Sequence, residues 1–475
     1  MKPVAVLAGL CLCLFSSFVT ILAAPSVTLL SNTLLDQSGI FFVSYDGLVN
    51  VNSFQLSNLL TYNNVQYASW YTSSRYAVLA RRQLPNGPWQ TLQLPRQLSN
   101  NNSHNVVVIG VSPEDGRIHV ALDCHSSRVF YTVSEPGLAG NLNTSWVASR
   151  FGAIGNNLGS LNVGTQITYP QFVITPSNAL QFVYRSGVSG NGATQLAEYT
   201  GGTWRNVGSW ATNSGSYSAR GVTSNNRNLY IHGFTYDRGG RVHVTGTWRE
   251  QAGGVMCNGG GLTNHDTVYF YSDDRGRNWR NSAGSQISTS GSNPVRVSTG
   301  GIIVDPINAD HGLMNQESQD VDSNGQIHAI ISYVPGRFTQ CVTSYQRDRQ
   351  NSGYPFHVFR SSDGTFTKTE IPFRLEAVGR SQIVVDRSNN DDVYVVLPYL
   401  RIVSASKSSG YKDWALVYDG RASGLNAFGE VTVDRLRVHG GGGSAGGRTL
   451  SVFYQVASSG SSPSAVRVVD FALNG

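Results

Sequence analysis

Cysteine and charge are both scarce in this chain. It has 475 residues, of which 5 are cysteines and 13% are charged. Cys11 and Cys13 lie in the apolar N-terminal segment, so Cys124, Cys257 and Cys341 can form one disulfide at most. A small disulfide-stapled fold is therefore excluded, and packing must supply most of the stability. We predict a bond between Cys257 and Cys341.

Long apolar runs are absent after the first 24 residues, and a membrane-spanning helix is not expected there. The N-terminus combines a basic Lys2, apolar residues 4–15 and a small-residue exit, which is typical of a secretory signal peptide cleaved after Ala23 or Ala24. A membrane anchor is the alternative, but serines and a threonine interrupt the run. We therefore expect a secreted, extracellular protein whose single catalytic domain covers residues 25–475.

The charge balance and two glycosylation triplets bear on the partners of the chain. Lys and Arg outnumber Asp and Glu by 35 to 29, and the net charge of +6 suits an anionic partner. The basic residues are scattered rather than clustered with aromatic residues, so we expect no nucleic-acid partner. Asn101 and Asn143 begin N-x-S/T triplets, which predict a glycoprotein if the host glycosylates.

Helical periodicity is almost absent, whereas short runs of Val, Ile, Tyr and Phe recur between turns rich in Gly, Asn, Ser and Asp. One turn-and-strand pattern returns at a spacing of roughly 64 residues, with a longer interval around a Gly-rich insert at 253–261. The copies are centred on His119, Phe182, His243, His328 and Tyr394. Seven such units fit a mature chain of about 450 residues, so we predict an all-β, seven-bladed β-propeller of four-stranded antiparallel blades. A pair of β-sandwiches or a parallel β-helix is the alternative.

A second repeat signal is the Asp-box hairpin, S-x-D-x-G-x-x-W. Residues 272–279 match it in full, and residues 361–366 are a degenerate echo. In such a hairpin Ser and Asp bond the turn backbone and Trp packs between strands, so we predict a structural role. Asp boxes are common in sialidases and other carbohydrate-active propellers, and the motif favours sugar chemistry without naming a reaction. The Gly-rich run at 440–447 is interpreted as a hairpin tip.

Polar residues stand at the ends of several predicted strands. His104 opens a Val-rich strand and His125 follows the next one, so the two imidazoles can face one cavity. Arg185 ends a strand that runs into a Gly/Ser-rich loop, where a guanidinium suits a carboxylate. The alternative for each is an ordinary structural role. Thr168-Tyr169-Pro170 belongs to the same group as Arg185. Further polar groups, as well suited to structural corners as to ligand contacts, are Trp248-Arg249, Asn264-His265-Asp266 and Asn315-Gln316-Glu317.

Several of these segments follow one another in order between residues 100 and 400. They are His104-Asn105, Asp115 to His119, Asp123 to Ser127, Thr168-Tyr169-Pro170, Arg185 to Gly192, Trp248-Arg249, Asn264-His265-Asp266 and the Asp box. In combination they resemble the BNR-4 repeat family. That family includes seven-bladed propeller lyases acting on ulvan and fungal lyases that cut terminal rhamnose from arabinogalactan. The signal peptide and the glycosylation triplets favour the fungal type.

The resemblance implies a polysaccharide lyase that releases L-rhamnose from the rhamnosyl-α-1,4-glucuronate of gum arabic type arabinogalactan by β-elimination. The uronate carboxylate is neutralised, the C5 proton is removed, and the oxygen on C4 leaves. We expect Arg185 to neutralise the carboxylate, His125 to act as base, Tyr169 to act as acid or proton-transfer partner, and His104 to hold the carboxylate or the sugar. Second-choice substrate contacts are Arg249, Asn264 and His265.

The resemblance also suggests a calcium ion in the central channel and no organic cofactor, although no contiguous Asp-rich loop assigns its ligands. We expect a monomer that acts on an acidic polysaccharide, with no membrane partner. Two other functions stay open. A sialidase-like glycoside hydrolase needs a Tyr nucleophile with an acidic partner and three clustered arginines, which the sequence does not display clearly. A non-catalytic carbohydrate-binding propeller has no use for two His and a Tyr together.

Overall fold

Successive segments of the chain form antiparallel sheets around one axis. The computed structural model describes residues 25–54, 57–388, 390–440 and 448–475. Strands account for 50% of the chain and helices for 5%, and the sheets form seven blades, most of them four-stranded. The predicted all-β, seven-bladed propeller is confirmed.

The strands are numbered β1 to β34 in chain order. They are β1 (Ser26–Gly39), β2 (Val43–Ser44), β3 (Gly47–Leu48), β4 (Leu59–Tyr62), β5 (Val65–Tyr71), β6 (Tyr76–Gln83), β7 (Gln90–Gln97), β8 (Val107–Ser112), β9 (Arg117–Leu122), β10 (His125–Ser127), β11 (Phe130–Val133), β12 (Ile167–Ile174), β13 (Leu180–Val188), β14 (Asn191–Thr200), β15 (Thr203–Ala211), β16 (Tyr217–Ala219), β17 (Val222–Ser224), β18 (Arg227–Tyr236), β19 (Val242–Glu250), β20 (Asn264–Ser272), β21 (Asn278–Arg280), β22 (Gln286–Thr289), β23 (Ile303–Asp305), β24 (Ser318–Val321), β25 (Ile327–Tyr333), β26 (Tyr354–Arg360), β27 (Phe366–Glu370), β28 (Gln382–Asp386), β29 (Asp392–Leu397), β30 (Arg401–Ala405), β31 (Ala415–Asp419), β32 (Thr432–Val433), β33 (Thr449–Gln455) and β34 (Ser464–Asn474). The helices are α1 (Tyr345–Ser352) and α2 (Arg435–Val438), with 3-10 turns at Ala148–Arg150, Gly253–Val255 and Pro398–Leu400.

Each blade is a meander of neighbouring strands. The blades are β4 to β7; β8, β9 and β11; β12 to β15, with β10 beside β12; β18 to β22, with β23 beside β20; β24 to β27; β28 to β31; and β32 to β34 with β1. In the last blade β1 pairs antiparallel with β34, from Ser26 opposite Asn474 to Gly39 opposite Ser464. This pairing closes the ring, which is how a propeller protects the edges of its sheets.

The sequence repeat coincides with the second strand of a blade. Its five centres, His119, Phe182, His243, His328 and Tyr394, lie on β9, β13, β19, β25 and β29, in five consecutive blades. All five side chains are buried. The insert at 253–261 lies between β19 and β20, where it lengthens one interval of the repeat.

Burial explains why these strands are rich in β-branched residues. Every residue of β8 and β29 is buried, since both faces pack against neighbouring blades, whereas the outer strand β7 alternates between buried and exposed positions. At Gly110 of β8 an added Cβ would lie 2.5 Å from the Phe172 ring, so the close approach of two blades requires glycine there.

The Asp box has the predicted structural role. It turns the chain between β20 and β21, and the Ser272 hydroxyl accepts the Gly276 N–H at 2.9 Å while Asp274 accepts the Asn278 N–H at 2.8 Å. Trp279 is fully buried and stacks on Trp210, with ring centroids 5.0 Å apart. The echo at 361–366 makes the equivalent turn between β26 and β27 of the next blade.

The predicted disulfide is present. Cys257 and Cys341 are bonded with their Cα atoms 5.8 Å apart, and Cys124 is a buried free thiol. The bond ties the insert between β19 and β20 to the segment that precedes α1. In the part of the chain described, neither helix combines the length and apolarity needed to cross a membrane. The predicted signal peptide and most of the Gly-rich run at 440–447 lie outside the described residues.

Candidate active site

A cavity of about 290 Å³ opens at the face where the first strands of the blades begin. His104 precedes β8, Tyr169 and Tyr230 lie near the starts of β12 and β18, and Arg380 precedes β28. Because the first strands lie nearest the axis, residues distant in sequence meet at this face. Of the residues predicted from the sequence, His104, His125, Tyr169 and Arg249 line the cavity, and Arg185 lies directly behind its wall.

The two predicted histidines form one stacked pair. The His104 and His125 rings are 4.4 Å apart between centroids and 12° from parallel. Asn102 lies between their Nδ1 atoms, since its Oδ1 is 3.0 Å from His104 Nδ1 and its Nδ2 is 2.6 Å from His125 Nδ1. Phe54 stacks on the other side of His104, with centroids 5.3 Å apart. The imidazoles are thus held in place before any ligand binds.

Both imidazoles are neutral at neutral pH. Burial, assisted by Arg185, lowers the pKa of His125 to about 4. Burial also holds the pKa of His104 well below its usual value, and His125, Arg380, Arg185 and Arg249 lower it further, in that order. Since a neutral imidazole can accept a proton, the pair is ready for general-base chemistry over a wide pH range.

A β-bulge aims Tyr169 into the cavity. The register between β12 and β13 jumps from Thr168 opposite Arg185 to Gln171 opposite Val183. Tyr169 takes a φ of 58°, a left-handed backbone that costs a non-glycine residue on the order of 1 kcal/mol or more. Pro170, which has no N–H to pair, completes the bulge. Bulges of this kind re-aim side chains beside active sites.

Tyr169 and Tyr230 form a phenol pair next to the imidazoles. Their ring centroids are 5.7 Å apart, and Tyr169 is 5.5 Å from His104. Burial, reinforced by Tyr230, raises the pKa of Tyr169. Burial acts the same way on Tyr230, but Arg185 and Arg249 outweigh it, so the pKa of Tyr230 lies below its usual value. Tyr169 therefore stays protonated, as a proton donor must.

Arg185 is a buried cation without a carboxylate partner among the described residues. It is 4% exposed, and its guanidinium donates to hydroxyl oxygens of Tyr230 at 3.2 Å, Thr168 at 2.9 Å and Ser126 at 3.3 Å. Its guanidinium carbon lies 4.9 Å from the centroid of the Tyr169 ring. An ordinary structural role for Arg185 would pair it with a nearby Asp or Glu, and no such pair is present among the described residues.

Arg249 is the second uncompensated cation at the cavity. Its side chain lines the wall, and within the described chain no protein group is hydrogen-bonded or ion-paired to it. Arg380 is a third arginine here, but Glu430 already neutralises it at 2.9 Å. The cavity therefore carries an excess of positive charge, which suits an anionic ligand.

Asn264 and His265 are not among the residues lining the cavity. Both are fully buried in β20. Asn264 donates to the Leu313 carbonyl at 2.7 Å, and His265 bonds Glu250 at 3.1 Å and Asp266 at 3.0 Å. These two carboxylates raise the pKa of His265 although burial opposes them. We therefore interpret Asn264 and His265 as structural residues that support the Arg249 segment and do not touch the ligand.

A hairpin that was not predicted from the sequence lies over the two histidines. Tyr45 lies at the turn between β2 and β3, is 65% exposed, and has its ring centroid 4.7 Å from that of His104. Asp46 accepts a hydrogen bond at 2.7 Å from the Tyr345 hydroxyl of α1. The Asp46-Gly47 dipeptide is a recognisable turn signal. Nothing local showed that this turn lies at the site.

The central channel does not fit the predicted calcium ion. Asp320 already contacts His439 Nε2 at 3.0 Å and Arg387 at 3.2 Å, and Asp434 accepts from Thr61 and Gln66. Among the residues that the structure describes, no group of three or more His, Cys, Asp or Glu side chains is placed to hold a metal ion. Calcium binding stays an untested prediction.

Fold and site together define a seven-bladed β-propeller with a basic, histidine-containing pocket on one face. The model for "BNR repeat-containing family member" matches residues 65–374, well over half of the chain. The chain therefore belongs to this family, and the resemblance seen in its motifs is confirmed.

Known relatives of the chain include ulvan lyases. The long isoform of ulvan lyase from Alteromonas sp is 23% identical over 177 residues, which span 29% of this chain and 18% of that relative. The crystal structure of the polysaccharide lyase Uly1 matches 94% of this chain and 99% of its own, with a TM-score of 0.68 at 16% identity. A PL25 ulvan lyase matches 92% and 95%, with a TM-score of 0.63 at 14% identity. At these identities the structural likeness shows the fold.

Proposed function

We propose that this protein is a secreted polysaccharide lyase that cleaves a rhamnosyl–uronate linkage by β-elimination. One observation carries the proposal: two neutral imidazoles, a protonated phenol and the unpaired Arg249 line one cavity, and the unpaired Arg185 lies behind its wall. A carbohydrate-binding module has no need of neutral imidazoles beside a protonated phenol. A uronate lyase needs each of these groups.

The cations address the first obstacle to the reaction. The C5–H bond of a uronate is hardly acidic while the adjacent carboxylate is ionised, since removal of the proton adds a second negative charge. Arg249, with its donors unused by the protein, binds the carboxylate in this proposal, and the charge of Arg185 acts through the wall behind it. Both charges stabilise the enolate-like transition state more than the ground state, which is the condition for catalysis.

Proton transfer then involves the imidazole pair and Tyr169. One imidazole takes the C5 proton, the C–H electron pair forms the C4=C5 double bond, and the C4–O4 bond breaks. O4 leaves with the neighbouring sugar and takes the phenolic proton of Tyr169. No water is consumed, and the products are a sugar with a free hydroxyl and a 4,5-unsaturated uronate.

For the substrate we propose the L-rhamnose-α-1,4-D-glucuronate terminus of arabinogalactan. The order of motifs, the net positive charge and the ulvan lyase relatives support a uronate linked to rhamnose. A complex of a PL25 ulvan lyase with -[GlcA(1-4)Rha3S]- has the same fold, with a TM-score of 0.63 at 13% identity. Ulvan itself is the alternative substrate.

Absorbance and sugar release together test the reaction. The purified protein is incubated with gum arabic, ulvan and a sialoside, and the ultraviolet absorbance of a 4,5-unsaturated uronate is followed while free sugar is quantified. New absorbance with equimolar rhamnose release from gum arabic is the expected result. Sugar release without absorbance contradicts elimination.

A sialidase-like hydrolase is the second candidate because the structure supplies what the sequence did not display. Arg185, Arg249 and Arg380 gather at the cavity, and the Tyr345 hydroxyl there is paired with Asp46. A hydrolase of this kind would not use the two neutral imidazoles. Release of sialic acid from the sialoside, without new absorbance, would favour it.

Arg249→Gln tests the carboxylate contact. We expect kcat/KM to fall roughly 10- to 100-fold, because a charge-assisted bond to the uronate is lost. The control is Arg220→Gln, which removes an arginine paired with Asp310 outside the cavity. Equal activity of Arg249→Gln and wild type would show that the carboxylate lies elsewhere.

Tyr45→Ala tests the overhanging hairpin. An exposed ring above the imidazoles can stack on a sugar face, so its loss is expected to raise KM about 10-fold with little change in kcat. Tyr45→Phe serves as the matched control and is expected to retain the wild-type KM. A drop in kcat alone would assign the ring to the chemical step instead.

A further inference from the structure

We propose that Asn102 is a positioning residue that holds His104 and His125 in opposite tautomers, so that one imidazole accepts a proton while the other donates a hydrogen bond. The inference deepens the proposed function and rests on it for its catalytic meaning. Asn102 itself is not among the residues that line the cavity. It acts through the two Nδ1 atoms that it contacts.

The backbone fixes which way the Asn102 amide points. The His104 N–H donates to Asn102 Oδ1 at 3.0 Å. If the amide were flipped, its NH2 group would face this N–H, and two donors would meet. Side-chain amide orientation is assigned from such partners, and here a main-chain donor settles it. Asn102 Nδ2 is therefore the atom that faces His125.

The amide in turn fixes both rings. Asn102 Oδ1 is an acceptor, so His104 Nδ1 carries a proton and His104 Nε2 has a free lone pair. Asn102 Nδ2 is a donor, so His125 Nδ1 must be the unprotonated nitrogen and His125 Nε2 carries the proton. A second proton on His125 would lie on Nδ1 and face the N–H donor of Asn102. This repulsion agrees with an imidazole that stays neutral.

Both Nε2 atoms are available to a ligand. The two rings line the cavity, and within the described residues neither Nε2 has a hydrogen-bond partner. His104 Nε2 is thus the acceptor for the C5 proton, and His125 Nε2–H is a donor to the carboxylate or a sugar oxygen. This division reverses the roles expected from the family resemblance, where His125 was the base.

Replacing Asn102 should spare the fold. The Asn102 backbone N–H donates to Asn100 O at 3.0 Å, and its carbonyl accepts from Asn105 N–H at 3.1 Å. Ser103 is separately tied to Ser44 through its N–H at 2.7 Å and its hydroxyl at 2.6 Å. The loop therefore keeps its anchors without the amide.

Nitrogen NMR of the histidine rings gives the first test, and it needs no activity. In 15N-histidine-labelled protein, with His104→Gln and His125→Gln used for assignment, we expect an Nδ1–H tautomer for His104 and an Nε2–H tautomer for His125. Asn102→Asp offers an acceptor to both Nδ1 atoms, so His125 is expected to switch to Nδ1–H. The same tautomer in both wild-type rings, or no switch in Asn102→Asp, overturns the inference.

Kinetics gives the second test. In Asn102→Asp the donor role is lost and the carboxylate raises both imidazole pKa values, so kcat is expected to fall about 100-fold with KM within about 3-fold of wild type. The acid limb of the pH profile should move to higher pH, because a base with a raised pKa loses its proton only at a higher pH. Asn100→Ala, on the same loop with one 3.4 Å side-chain contact, is the control.

The two tests separate this inference from the proposed function. A wild-type protein with opposite tautomers but no elimination activity contradicts the lyase proposal and supports the tautomer assignment. Active wild type with an unshifted pH profile and unchanged kcat in Asn102→Asp contradicts the positioning role while the lyase proposal stands.

Discussion

The His104→Gln variant is expected to lose about 1000-fold in kcat on a uronate substrate while remaining folded. Removing a general base costs typically 10²–10⁴-fold, and His125 is expected not to replace it, because its Nε2 carries a proton. Glutamine keeps a polar side chain of similar reach next to Asn102. The measurement is the initial rate of absorbance gain, with circular dichroism and thermal unfolding as controls.

The pH profile of the wild-type enzyme belongs to the same prediction. Burial lowers the pKa of His125 to about 4 and holds that of His104 well below its usual value. A base is active only above its pKa, so kcat/KM is expected to stay level from neutral pH down through the ordinary histidine range and to fall only well below it. A limb near the ordinary histidine pKa of about 6.5 would show that the active base is a solvated imidazole. A loss of less than about 10-fold in His104→Gln would place the base on another residue.

The sequence predicted the fold because most blades carry their own local signal. His119, Phe182, His243, His328 and Tyr394 each follow a polar turn in the second strand of a blade, so a count of their spacing recovers the repeat. The last blade has no such signal. It combines β1 with β32 to β34, and a pairing between residues more than 400 positions apart leaves no trace in any local window.

The site was predictable where function disrupts a strand. His104, His125 and Tyr169 are polar or aromatic residues at strand ends, and Tyr169 is followed by Pro170, which cannot donate a ladder hydrogen bond. Tyr230 could not be recognised in this way, since it lies between Leu229 and Ile231 inside the buried strand β18 and reads as core.

Asn264 and His265 were predicted as substrate contacts, but they do not line the cavity. Arg249 pairs with Asn264, and Trp248 with His265, across β19 and β20, so the pattern correctly placed the two segments together. Which side chains face the cavity depends on strand register and on the carboxylates of Glu250 and Asp266 that hold His265 below the surface. A one-residue difference in register exchanges the two faces of a strand, and sequence patterns do not fix it at a bulge.

The Arg185→Met variant is expected to lose about 1000-fold in kcat/KM and yet to be at least as stable as wild type. The activity loss follows from the charge of Arg185, which supplies positive potential behind the carboxylate site. Removing one preorganised electrostatic group typically costs 10²–10³-fold.

The stability gain follows from the absence of a carboxylate partner for Arg185. A buried, unpaired guanidinium is costly to desolvate, and its Nε has no hydrogen-bond partner. Methionine fills similar space without charge, and two of the three hydroxyls left behind keep other partners, since Thr168 Oγ1 accepts from Ser126 N–H at 2.8 Å and Tyr230 bonds Ser189 at 3.2 Å. Replacing buried charges by apolar side chains of similar volume has stabilised proteins by about 1–4 kcal/mol. Calorimetry should therefore show an unchanged or higher Tm. A lower Tm together with lost activity would show that Arg185 stabilises the fold. An unchanged or higher Tm together with lost activity would show that the protein tolerates an unfavourable buried charge because its chemistry needs it.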